Sequence, residues 1–446
     1  MDSAEWNELC FSTSPYEPLG SDDDTNERID MNKSHGNQAP RGSSHRVTHP
    51  MVVVAEIVAA LGGLGLPACK KSDSSATGET AAKATHPVTI NVVDVAGSMA
   101  LLQTAIQNYR DKHPETIEKV NFTKAPAPEL PGKLKAMQAA GRSDIDLVTT
   151  GTDALAAGID QGLWTPIFPD HADAFPGLLD NYLPQVREMQ KLAQGQAVAV
   201  AFMPAGPLVE YNPDKVSSPP TSPAALLAWA KAHPNRFIYA RPRNSGPGRT
   251  FLMGLPYLLG DANPKDPVNG WAKTWAFLKD LGQYVEYYPS GTTATMKEFG
   301  EGSRDMTVTV TGWDINPRVI GIVPKAYKVA AFQGMTWVND THYIAIPKGL
   351  APDKLAVVLD LVKFLLAPEQ QALTYDKGFF YPGPAVKDVP LSMAPKESQD
   401  VLRDFGRPEY EGWLAKFPHT QPLEAKAMVA AFDRWDQDIG GQKTKK

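Results

Sequence analysis

Two short stretches set an indole beside a carboxylate: Trp313 with Asp314 in TGWDINPR, and Trp337 with Asn339 and Asp340 in MTWVNDTHY. An aromatic face stacks on a planar ring or attracts a cation, and a nearby carboxylate neutralises one. The pairing suits a small solute that is cationic or carries an aromatic ring. Tyr381, in FFYPGP, is a third aromatic candidate for the same role. The alternative places both indoles in a core or at an interface, with their acids in water. Three turns supply complementary polar chemistry. Gly97 and Ser98 in VAGSM, Gly151, Thr152 and Asp153 in TTGTD, and Ser245, Gly248, Arg249 and Thr250 in NSGPGRT each stand just ahead of an expected helix. Free backbone N–H groups at a helix start can meet a ligand, although the same residue types also serve as plain caps.

The apolar pattern indicates what positions these residues. VTINVVDV at 88–95 reads as a buried strand, and the helix after it keeps Met99, Leu102, Ile106 and Tyr109 on one face. KVNFTKA and DIDLVTT are further strands, separated by a helix that a proline starts, so the segment is β-α-β-α-β, the beginning of a parallel α/β sheet. QAVAVAFMPAGPLVEYN at 196–212 is a long extended run broken at Pro204, Gly206 and Pro207, as expected of a chain crossing between two lobes. SPAALLAWAKAHPNR and WAKTWAFLKDLGQYV are amphipathic helices, MTVTVTGWDINPRVIGIV is a strand turning into a short helix, and KVAAFQG and THYIAIPKG are strands. KLAVVLDLVKFLLAPEQQALTYDKG is a long helix ending at a glycine, and EYEGWLAKFPHT and LEAKAMVAAFDRWDQDI are the last helical pieces.

Composition and missing motifs remove several functions. The chain of 446 residues is 42% hydrophobic and 9% aromatic, a globular composition. Its first 69 residues carry 10 Asp and Glu against 4 Lys and Arg, which leaves the remainder neutral with 40 of each. A neutral body without a basic stripe offers nothing to nucleic acid. The two cysteines, Cys10 and Cys69, precede the body, so the body contains no disulfide, zinc finger or thiol nucleophile. There is no HExxH, GxSxG or Walker loop, and GPGRT lacks the lysine of a phosphate-binding loop. Asp340 and His342, two apart on a strand, share a face without a nucleophile in view. The sequence therefore predicts no catalytic residue, no metal and no cofactor.

The N-terminal part has a different character. Residues 1–50 are polar and read as a disordered or non-native extension. Residues 51–69 form a signal segment: Arg41 and Arg46, an apolar run from 52 to 68 interrupted by Glu56, then the small Ala68 and Cys69. That order resembles the bacterial lipoprotein signal, in which Cys69 would be acylated. An ordinary secretion signal or an uncleaved anchor is the alternative. Residues 70–86 are a polar tether rich in Ser, Thr and Ala.

Residues 334–386 hold a recognisable arrangement. A strand leads to the turn at Lys348 and Gly349, a helix ends in Phe364, Leu365, Leu366, Pro368, Glu369 and Gln370, and a segment then runs from glycine to proline. This resembles the C-terminal part of bacterial extracellular solute-binding proteins of ABC importers. MPAGPLVEYN, ending at Tyr211 and Asn212, is similar to their strand that closes on Tyr-Asn. The resemblance covers about residues 88–390, and SPAALLAWAKAHPNRFIYARP places it nearest the branch of polyamine, iron and thiamine binders. It implies an α/β, two-lobe periplasmic-binding-protein fold with crossing hinge strands, a C-terminal helical part, and a solute held between the lobes. The matching division is lobe 1 over 87–204, lobe 2 over 205–328, and a return to lobe 1 with C-terminal helices over 329–446.

The implied function is a monomeric receptor in the periplasm or cell envelope that hands a small solute, such as thiamine or a polyamine, to ABC permease and ATPase subunits. It would touch the membrane only through a lipid anchor. Two other readings stay open, a secreted α/β hydrolase or transferase and a sensor-type binding protein.

Overall fold

The computed structural model describes residues 86–125 and 129–443. The expectations for 1–85, including the signal segment, Cys69 and the tether, lie outside the described residues.

The mixed α/β class holds. The apolar run at the start of the body forms β1 (Val88–Asp94), which pairs in parallel with β2 (Ile117–Lys124) and β3 (Leu147–Thr150) through the helices Met99–Lys112 and Leu130–Ala139. β4 (Ala197–Gly206) and β9 (Trp337–Ala345) are buried along their whole length. Continuous burial on both faces accounts for the unbroken alanine, valine and phenylalanine of β4. The two run antiparallel from Ala197 opposite Ala345 to Gly206 opposite Val338. β3 meets only the last residues of β9, with Thr150 opposite Tyr343. The stretch Trp337–His342 therefore continues past the end of β3, paired with β4 and, at Trp337 and Val338, with β10 (His419–Thr420). These strands make a six-stranded sheet.

The second sheet has four strands in the order β6 (Phe237–Ile238), β7 (Met306–Thr309), β5 (Leu208–Tyr211), β8 (Lys328–Ala331). The chain leaves the first sheet and enters the second at Pro207, inside the run that the sequence marks as broken, and it returns between β8 and β9. Each sheet has its own hydrophobic core. The stretch 329–446 is divided between the two: the helix Pro352–Leu365 packs in the first core, whereas Leu402, Tyr410, Phe432 and Trp435 belong to the second. Trp435 meets Tyr288 edge-on, with ring centroids 4.9 Å apart, and its indole donates to the Tyr239 hydroxyl.

The helix Gly246–Leu259 rests on the crossing point. A Cβ at Gly254 would lie 2.5 Å from Cδ of Pro207, so only glycine permits this close approach. One turn earlier, the Thr250 methyl faces Gly206. That seating fixes where Arg249, next to Thr250, meets the first sheet.

Candidate functional site

The seam between the two sheets gathers the start of one first-sheet helix after β1, another after β3, and the Arg249 helix of the second sheet around the part of the β4–β9 ribbon that runs past the end of β3. At the end of β1, the Asp94 carboxylate accepts the backbone N–H groups of Ser98 (2.9 Å) and Met99 (3.3 Å) and the Thr149 hydroxyl (3.1 Å). Burial raises this carboxyl above its ordinary value, while the donors work to lower it. Because Asp94 caps the helix, the Ser98 side chain is free of that task. Its Oγ lies 2.9 Å from Nδ1 of His342 on β9. Gly97 turns the chain with φ +77°, a left-handed conformation suited to glycine, and places the turn against the Phe379 ring.

After β3, the Thr152 hydroxyl donates to Oδ1 of Asp340 at 3.3 Å, and the Thr341 N–H donates to the same oxygen at 3.0 Å. The other oxygen, Oδ2, accepts from Nη2 of Arg249 at 2.7 Å. Oδ2 of Asp153 stands 3.4 Å from Nη1 of Arg249, and Oδ1 of Asp153 accepts the Ala154 N–H. Arg249 is 8% exposed and Asp340 6%, whereas the Asp153 side chain retains 25% of its exposure. Burial lowers His342 to about 4, an effect the Asp340 charge opposes and the Arg249 charge reinforces, so the imidazole is neutral near pH 7. Ser245 does act as a cap: its Oγ accepts the Gly248 N–H at 3.1 Å and also meets the Thr292 hydroxyl at the start of the helix Thr292–Gly300.

The aromatic candidates divide. Trp313, in the helix Thr311–Val319, stays partly exposed and meets Phe379 edge-on at 5.7 Å, which brings it to the Gly97 turn. Trp337 must be corrected. It is fully buried in the second core, its indole N–H donates to the Trp413 carbonyl, and it has no face for a solute. Asp314 must also be corrected. It is fully buried and accepts from Arg318 (3.0 Å), from Nη2 of Arg407 (2.6 Å) and from the Tyr410 hydroxyl (2.7 Å), so its oxygens are saturated by protein. The Asp314 charge joins burial in pushing Glu210, on β5, well above its ordinary value. Thr250 is buried at the crossing point. Tyr381 packs on the second core, and its carbonyl accepts the Thr311 hydroxyl.

The structure thus brings Ser98, Thr152, Asp153, Arg249 and Asp340 together, with Trp313 linked to them through Phe379. Asp94, His342 and Phe379 complete the arrangement without having been singled out as site residues. Asp94 ends a strand just before the VAGSM turn, which is a capping signal. His342 gives no comparable sign, because its partner Ser98 is 244 residues away. Ser98 and His342 are both buried, so this pair is poorly placed to attack a substrate. Among the described residues no group of His, Cys, Asp or Glu could hold a metal ion.

Comparison with known proteins follows the same lines. Residues 104–402 match the family described as "Bacterial extracellular solute-binding protein". Protein YnjB of Escherichia coli (strain K12) is 26% identical over 206 residues, which are 43% of this chain and 50% of that protein, so the match spans half of the relative's length. An ABC transporter structure from Clostridium perfringens superposes with TM-score 0.58 at 15% identity, covering 80% of this chain and 100% of the other. The spermidine/putrescine ABC transporter substrate-binding protein PotD from Streptococcus pneumoniae superposes with TM-score 0.55 at 13% identity, over 78% of this chain and 98% of the other. At these identities the likeness to solved structures is one of fold.

Proposed function

The chain belongs to the bacterial extracellular solute-binding proteins, the receptors of ABC importers, and from that premise we propose that it captures a small cationic solute in the seam between its two sheets. Members of this family bind small solutes outside the cytoplasm and work with a permease and an ATPase; they are receptors and not enzymes. The observation that carries the choice of solute is the charge at the seam. Asp153 and Asp340 face one Arg249, and His342 is neutral, so carboxylates outnumber cations around this guanidinium, with Asp153 the more exposed of the two. Trp313 offers a π face nearby, and attraction between a cation and such a face contributes about 0.5–2 kcal/mol. Backbone N–H groups at the start of the helix after β3 add places for neutral polar atoms of the solute, whereas those after β1 are already taken by Asp94. Closing the two sheets about the solute would strengthen each of these contacts by removing water.

The test is a thermal-shift and calorimetric screen of the full chain against putrescine, spermidine and thiamine, with maltose and an organic phosphate as neutral and anionic comparators. A cation at about a hundred times its Kd should stabilise the fold by about 2.7 kcal/mol, a shift of several degrees in Tm. Stabilisation by none of the cations, or only by the neutral or anionic comparator, overturns the proposal.

A further inference from the structure

Arg249 is more than nine-tenths buried. A guanidinium carries five N–H donors in a rigid fork. Among the described residues, this one makes a single side-chain hydrogen bond, from Nη2 to Oδ2 of Asp340, while its contact with Asp153 at 3.4 Å is an ion contact and not a hydrogen bond. Its remaining donors keep contact with solvent and are not sealed in the interior, so they are open to oxygen acceptors on a bound solute.

The two carboxylates beside it differ in how firmly they are held. Asp340 is anchored by Thr152 and by the Thr341 N–H, so it orients the guanidinium. Asp153 keeps the Ala154 N–H on Oδ1 whether or not Oδ2 faces Arg249, and it is the more exposed of the two. Arg249 also lies in the first turn of its helix, whose cap Ser245 touches Thr292 at the start of a second helix. Two helix starts thus meet at Ser245, four residues before Arg249, and each carries partial positive charge.

We infer that Arg249 reads a carboxylate on the solute, which takes the fork in place of Asp153 and leaves Asp153 to face the positive charge of the same molecule. The solute class is then a small zwitterion with net positive charge. This rests on the cationic-solute reading above and sharpens it: a solute with two ammonium groups and one carboxylate keeps a net positive charge for the two carboxylates that flank Arg249. Planar carboxylate against planar guanidinium is also the geometry in which arginine discriminates best.

The experiment compares matched pairs by isothermal titration calorimetry on the full chain: putrescine with ornithine, and cadaverine with lysine, each pair differing by one carboxylate. In at least one pair the amino acid should bind ten times more tightly than its diamine, or better. Arg249→Gln should abolish that preference, and Arg249→Lys, which keeps the charge without the fork, should retain part of it. The melting temperature and circular dichroism of each unliganded variant show whether it is folded. Equal or tighter binding of the diamines, or a preference that survives in Arg249→Gln, overturns the carboxylate contact and leaves the cationic-solute reading standing. Binding of none of the four overturns the inference even if thiamine binds, and failure of every cation overturns both.

Discussion

Asp314 and Asp340 each follow a tryptophan closely in sequence and each end up against an arginine, yet they occupy two kinds of place. The donors of Asp314, namely Arg318, Arg407 and Tyr410, all pack with the second core, and the carboxylate is closed off from solvent. The donors of Asp340 come from three directions: its own strand, a first-sheet helix through Thr152, and a second-sheet helix through Arg249. The first arrangement fastens one body together; the second spans two. A carboxylate's role is therefore set by where its donors originate, and the residues beside it in sequence say little about that.

Breaking the two clusters should separate them. The largest effect is expected from Asp314→Asn, which strands Arg318 and Arg407 beside a neutral amide and should destabilise the protein by about 3–5 kcal/mol, as loss of one partner from a buried ion pair does. Urea denaturation measures this directly. A loss below about 1 kcal/mol would mean that the cluster does not fasten the C-terminal helices to the second core.

Acid should weaken the seam to an intermediate degree. His342 falls from an ordinary value of 6.5 to about 4 on folding. The unfolded chain therefore takes up its proton first as pH falls. The stability associated with the neutral imidazole is complete above pH 6.5 and is lost progressively toward pH 4, by about 3 kcal/mol at 1.36 kcal/mol per pH unit. Denaturation of the wild type and of His342→Asn at pH 7.5, 5.5 and 4.0 isolates this share, because other acid-sensitive groups are common to both. A difference between the two proteins that does not change with pH would refute it.

The smallest effect on stability should come from Asp153→Asn. Its carboxylate is a quarter exposed and only loosely engaged with Arg249, so the change should stay within about 1 kcal/mol. The same substitution should weaken a cationic solute about tenfold, read by calorimetry. Unchanged affinity would remove Asp153 from the site and dissolve the contrast with Asp314.

The parts of the fold legible in the sequence are those set by local pattern. The long run broken at Pro204, Gly206 and Pro207 shows its strand through composition because burial on both faces demands apolar residues, and VTINVVD and LVTT show theirs through their β-branched residues. The packing of the last three long helices on the second core was not legible, since an amphipathic stripe says that a helix is covered but not by what. The same limit applies to the site. VAGSM and TTGTD could be recognised as turns before helices, but whether Ser98 and Thr152 cap those helices or reach β9 depends on His342 and Asp340, which arrive from elsewhere in the chain. Trp313 and Trp337 look alike for a similar reason. Arg249 is 91 residues from Asp340 and Arg407 is 93 from Asp314, separations over which sequence spacing carries no geometric information.

β9 has a mechanical consequence. Its last three residues are clamped between β3 and β4, while the stretch before them is held by β4 and, at its start, by β10. Asp340 and His342 sit on that outer stretch, so any flexing of the ribbon swings both like marks on a lever arm. Substitutions that retune recognition at these positions will therefore also alter the stiffness of the joint.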